Sequence, residues 1–69
     1  MRELIRKRLI EEIKASKLKT VKIGELLGID ASNITQYKNT SKLPSLETFA
    51  KLCKIIGADA NYILGITDN

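Results

Sequence analysis

The stretch Lys22-Ile23-Gly24-Glu25-Leu26-Leu27-Gly28-Ile29-Asp30-Ala31-Ser32-Asn33-Ile34-Thr35-Gln36-Tyr37 decides the fold of this chain. Its apolar residues Ile23, Leu26 and Leu27 have helical spacing, and Gly28 follows where a left-handed C-cap is easiest. Asp30 is then placed to cap a second short helix. Gly24 inside the first helix costs about 1 kcal/mol relative to Ala, which makes sense if the neighbouring helix crosses too closely for a side chain. Ile29 and Ile34 pin the second helix inward, with Tyr37 three residues on from Ile34. Its other side is an uncharged polar strip of Ala31, Ser32, Thr35 and Gln36. Two helices at about 20–27 and 31–38, joined by a tight turn, form a helix-turn-helix over about 20–38.

Outward from this stretch the pattern stays helical. From Arg2 to Lys17 the residues Ile5, Leu9 and Ile13 recur every fourth position and predict one helix with a buried stripe. Its charges fall at i, i+4, as Glu3 with Lys7, Lys7 with Glu11 and Arg8 with Glu12, which reads as a solvated, self-compensating face. On the other side, Asn39 to Lys42 reads as a polar loop. Pro44 and Ser45 open a fourth helix with Leu46, Phe49, Ala50, Cys53 and Ile56 expected inside. Gly57 ends it, and Asp59 caps a short fifth helix holding Tyr62, Ile63 and Leu64 up to Gly65, with 66–69 as a tail of uncertain order. The expectation is an all-α single domain, 1–69, of five helices, without internal repeats.

Composition bounds the function. The chain has 69 residues, no His and one Cys, so a zinc site, a Ser-His-Asp triad, a Cys-His pair and a disulfide framework are excluded by count. No enzyme, metal or cofactor is expected. Cys53 reads as a small buried hydrophobe, and Tyr37 and Tyr62 as core residues with wet hydroxyls. Lys51 and Lys54 read as ordinary solvated charges. The opening residues Met1 to Arg8 are too densely charged for a signal peptide or a membrane span, so a cytoplasmic protein with no membrane contact is expected. Residues 1–22 hold eight basic and three acidic side chains (+5), whereas 23–69 hold four and five (−1). That asymmetry favours a polyanionic partner, nucleic acid more naturally than a membrane surface.

With the motif and its flanks in place, the chain resembles, over most of its length, the Cro and phage-repressor (XRE-type) family of helix-turn-helix transcription regulators. The resemblance rests on 22–37, on Leu43-Pro44-Ser45-Leu46-Glu47-Thr48-Phe49, on 52–59 and on Tyr62-Ile63-Leu64. It implies double-stranded operator DNA as partner, no small-molecule ligand, and base reading by Ala31, Ser32, Asn33, Thr35 and Gln36. Among these Gln36 stands out, because an amide offers one donor and one acceptor to adenine N6 and N7. Ala31 would meet a thymine methyl. The resemblance places Thr20, Lys22, Asn39 and Lys42 at positions that clamp phosphates. The sequence departs from the family pattern at Thr20, where a Gln is common and which reads here as a helix cap, and at Thr40, where Gly is usual. It departs again at Ile13 and Lys38, where relatives pair Arg with Glu; both partners are absent together, so no unpaired charge follows.

A recognition helix of about eight residues reaches too few base pairs for one subunit to be specific in a genome. The resemblance therefore implies an inverted-repeat operator and a homodimer, with Tyr62, Ile63 and Ile66 as the contact; Ile63 has the alternative of closing the monomer core. A different reading is an antitoxin-like adaptor, a protein-interaction module on the same helical body. The two differ in whether the Ser32 to Gln36 strip or the apolar C-terminal end is essential.

Overall fold

The computed structural model describes residues 1–68. Among them it is all-α, with α1 Arg2–Ala15, α2 Thr20–Leu27, α3 Ala31–Asn39, α4 Leu46–Ile56 and α5 Ala60–Ile63, and no strand. The expected five helices are present in the expected order. Gly28 and Gly57 close α2 and α4 in the left-handed conformation, at φ 73° and 68°. Asp30, Ser45 and Asp59 cap α3, α4 and α5 by accepting from the backbone N–H groups of Ser32, Thr48 and Asn61. Each supplies an oxygen to a donor that the first helical turn leaves unsatisfied.

Three helix ends differ from expectation, α5 among them, since it stops at Ile63 and Leu64 is its C-cap rather than a helical residue. Helix α1 stops at Ala15 rather than Lys17, because Ser16 Oγ donates to the Ile13 carbonyl and accepts from Leu18 N–H, while Lys17 turns left-handed at φ 64°. Asn39 is not in the loop but is the last residue of α3. Thr40 N–H still bonds the Gln36 carbonyl at 2.9 Å and carries the last turn through Asn39.

Every helix contributes to the core. Leu9, Ile23, Ile34, Leu52 and Ile63 are its largest fully buried side chains, and each comes from a different helix. Ile13, Tyr37, Phe49 and Cys53 surround them. Leu52 corrects the expected inner face of α4. Phe49, Cys53 and Ile56 lie inward as expected, but Leu46 is 83% exposed and Ala50 is also at the surface. At 3.6 residues per turn the arc centred between Phe49 and Ile56 takes in Leu52 and turns Ala50 away. Burial of the Cys53 thiol, with Asp59 and Glu12 nearby, holds its pKa above the ordinary value. It therefore stays protonated as a small apolar side chain.

The arginines of α1 are not spent on neighbouring glutamates. Arg2 Nη2 donates to the Ser41 carbonyl at 2.7 Å, Arg6 Nε to that of Thr40 at 2.5 Å, and Arg8 Nη1 to those of Tyr62 and Thr67 at 2.6 and 3.1 Å. The expected self-compensating face is thus corrected for Arg8. Its guanidinium lies 4.3 Å above the Tyr62 ring, whose hydroxyl donates to Glu11 Oε2 at 3.3 Å. Ile66 N–H bonds the Asn61 carbonyl at 2.9 Å, so the stretch after α5 is fastened back onto the fold. The last residue of the expected tail 66–69, Asn69, lies outside the described residues. No helix among the described residues is long and apolar enough to cross a membrane.

Candidate nucleic-acid interface

The turn between α2 and α3 is as tight as Gly24 requires. A Cβ built there would lie 2.9 Å from the Ile29 carbonyl oxygen and 3.2 Å from the backbone N and Cα of Ala31. The start of α3 therefore rests directly on the backbone of α2. Ile34 and Tyr37 are buried on the inner side of α3. That anchoring turns Ser32, Thr35, Gln36 and Asn39 fully outward and leaves Ala31 and Asn33 half-buried along the same strip. All five expected base-reading residues lie on this one helix.

Their polar atoms are partly committed. The Asp30 carboxylate accepts from Ser32 N–H at 2.8 Å. The bonds from the Ser32 backbone and hydroxyl hold the Asp30 pKa below the ordinary carboxylate value. Thr35 Oγ1 donates back to the Ala31 carbonyl at 3.4 Å, which leaves its lone pairs facing outward as acceptors. Lys42 reaches across from the following loop. Its Nζ donates to Asn33 Oδ1 at 2.8 Å and to Gln36 Oε1 at 3.0 Å, and lies 5.9 Å from the Tyr37 ring centre. Burial raises the Tyr37 phenol pKa, so the ring beneath the ammonium stays neutral.

The loop that carries Lys42 is latched on both sides. Thr40 adopts an extended backbone, φ −129° and ψ 179°, so a non-glycine residue fits there without strain. Thr40 Oγ1 donates to the Gln36 carbonyl at 2.7 Å and accepts from Lys42 N–H at 3.1 Å. From the far side Arg2 and Arg6 grip the Ser41 and Thr40 carbonyls. Sequence reasoning did not single out these two arginines. Their signal was present as spacing, since residues four apart on a helix share a face, but the loop they meet is more than 30 residues away in sequence.

The remaining expected positions divide. Lys22 is exposed on α2 and Asn39 is exposed at the end of α3. Thr20 is not the cap of α2: Lys19 holds that position, without a side-chain cap bond, and Thr20 is the first helical residue. Its hydroxyl instead accepts from Lys38 Nζ at 3.0 Å. At the opposite end of the chain Tyr62 is half-buried and Ile66 is 68% exposed, but Ile63 is fully buried and belongs to the monomer core. It therefore leaves the set of surface contacts.

Comparison with known proteins agrees with this geometry. The chain is 36% identical over 56 residues to a protein of Bacillus subtilis (strain 168) described as an uncharacterized HTH-type transcriptional regulator, YobD. The chain is thus related by sequence to a helix-turn-helix transcriptional regulator. The match takes in 81% of this chain but only 50% of that helix-turn-helix regulator, so the chain spans half the length of the curated relative it matches. No protein-family model matches the chain, and no solved structure matches it at a significant level.

Proposed function

We propose that this chain is a sequence-specific DNA-binding transcriptional regulator of the Cro or repressor type, which works in the cytoplasm and blocks transcription by occupying an inverted-repeat operator. The observation that carries the reading is the outward strip of α3. It is uncharged, held at a fixed angle by Ile34 and Tyr37, and edged by Lys42. Such a strip suits base edges in a major groove, where hydrogen-bond pattern and methyl contact distinguish the pairs. Ala31, Ser32, Asn33, Thr35 and Gln36 are assigned to base reading. Lys22, Lys42 and Asn39 are assigned to phosphates, joined by Arg2 and Arg6 beside the 40–41 loop. Thr20 supports the site through Lys38. A homodimer through Tyr62 and Ile66 supplies the second half-site, about 10 base pairs away or a multiple of that.

The test is binding-site selection from random duplex DNA with the wild type and Gln36→Ala. The substitution should lower affinity for the selected site by about 1 to 3 kcal/mol and relax preference at one base pair. Lys22→Ala should weaken all sequences alike and reduce the salt slope by about one. Failure of the wild type to enrich any duplex would end the reading in favour of a protein-interaction module.

A further inference from the structure

Gln36 taken alone is ambiguous toward bases, because its amide carries both a donor and an acceptor. The structure tilts the balance toward donation. An ammonium has three donors and no acceptor, so each amide that meets Lys42 must turn its oxygen toward it, as Asn33 Oδ1 and Gln36 Oε1 do at 2.8 and 3.0 Å. Asn33 Nδ2 then points back to the Asp30 carbonyl at 3.5 Å. Gln36 Nε2 is left with no partner among the described residues.

The group beside the middle of α3 is therefore dominated by donors, the two hydrogens of Gln36 Nε2 and the remaining hydrogen of the Lys42 ammonium, against one remaining lone pair on Gln36 Oε1. The backbone that carries Lys42 is held in place before any ligand arrives, since Thr40, Arg2 and Arg6 latch residues 40–42. In the major groove guanine offers two acceptors, N7 and O6, whereas adenine offers the N7 acceptor beside the N6 donor. Against adenine, the N6 hydrogens would approach a cation and could reach only the second lone pair of an oxygen already polarised by it. Against guanine, O6 and N7 meet donors only, one of them charged and so the stronger bond.

We infer that Lys42 is a specificity-determining residue, which by engaging the Gln36 amide oxygen sets the base read at the Gln36 position to guanine rather than adenine. This rests on the proposed reading of DNA by α3; it replaces the adenine preference that Gln36 alone implies and moves Lys42 from the phosphates to the base edge.

The experiment is site selection followed by competition titration of duplexes that differ only at the base pair whose preference Gln36→Ala abolishes. It uses the full chain as wild type, Lys42→Met and Lys42→Arg, with the helical content of each checked by circular dichroism. Wild type should prefer guanine there by about tenfold over adenine. Lys42→Met frees the amide oxygen to accept from adenine N6 and should erase or reverse that ratio while leaving unchanged the positions that neither Gln36 nor Asn33 reads. Lys42→Arg, still a donor, should keep the guanine preference. A wild-type preference for adenine, or a Lys42→Met protein that is weaker on every sequence with the guanine preference intact, overturns the inference while the α3 reading stands. If Gln36→Ala changes no position, the α3 reading and this inference fall together.

Discussion

The two ends of the helix-turn-helix are joined directly: Lys38 Nζ, near the end of α3, donates to Thr20 Oγ1 at the start of α2 over 3.0 Å. This partly buried bond stands where a neutral acceptor at one end and a cation at the other need no acidic partner. Thr20→Val, which keeps the shape and removes the acceptor, should lower stability by about 1 kcal/mol, as should Lys38→Met. Because both lose the same bond, the double variant should be less destabilised than the sum. Urea denaturation of the four proteins measures it; strict additivity would mean the bond contributes nothing.

Gly24→Ala sets two effects against each other. Alanine would gain about 1 kcal/mol of helix propensity, but its Cβ would stand 2.9 Å from a backbone oxygen that no side-chain rotation can move away. Overpacking of this kind costs about 1 to 3 kcal/mol, and against backbone the upper part of that range applies. The expected outcome is net destabilisation of about 1 to 2 kcal/mol by urea titration, together with weaker DNA binding as the start of α3 shifts.

Ile63 and Ile66, three residues apart, should behave oppositely. Ile63 is fully buried, so Ile63→Ala should cost about 2 to 5 kcal/mol of stability. Ile66 is exposed, so Ile66→Ala should leave thermal stability of the monomer nearly unchanged and reduce self-association. Sedimentation equilibrium with and without selected operator, alongside a thermal melt, separates the two. An Ile66→Ala protein that associates as the wild type does would remove this residue from the proposed dimer contact.

Asp30 gives the domain a dependence on acid. Its carboxyl is held below the ordinary range by the Ser32 backbone N–H first and the Ser32 hydroxyl second. The folded protein thus binds this proton less readily than the unfolded chain does. The cap's contribution is complete at neutral pH and is lost as pH falls from about 4 through the lower folded value. Asp30→Asn keeps a capping oxygen but does not titrate, so its stability should fall less steeply between pH 5 and pH 3 than that of the wild type. Parallel slopes in thermal melts across that range would contradict the assignment.

What could be read in advance follows from how local each cause is. Gly28, Asp30, Ser45, Gly57 and Asp59 act within a few residues of themselves, so the end of α2, the start of α3, both ends of α4 and the start of α5 were legible. Gly24 was legible too, since an unfavourable glycine inside a helix points to crowding. The inner face of α4 was only half legible: Ala50 and Leu52 both suit an apolar stripe, and choosing between them needs the direction from which the other helices arrive. Least legible were the partners of long side chains. That Lys42 would take the Gln36 oxygen, and that Arg6 would take the Thr40 carbonyl, depends on tertiary approach rather than on spacing along one helix.

The five aliphatic side chains at the centre, one from each helix, bear on how the domain opens. A helix that peels away would take one fully buried aliphatic side chain out of the core, and the cavity left behind is strongly unfavourable in so small a core. The slowest-exchanging backbone amides of α1 through α5 should accordingly share one opening event rather than form separate units. On the proposed reading, a recognition helix with no independent melting cannot be loosened by itself to search for its base pairs. Adjustment to DNA would then be left to side chains such as Gln36 and Lys42, and to the duplex.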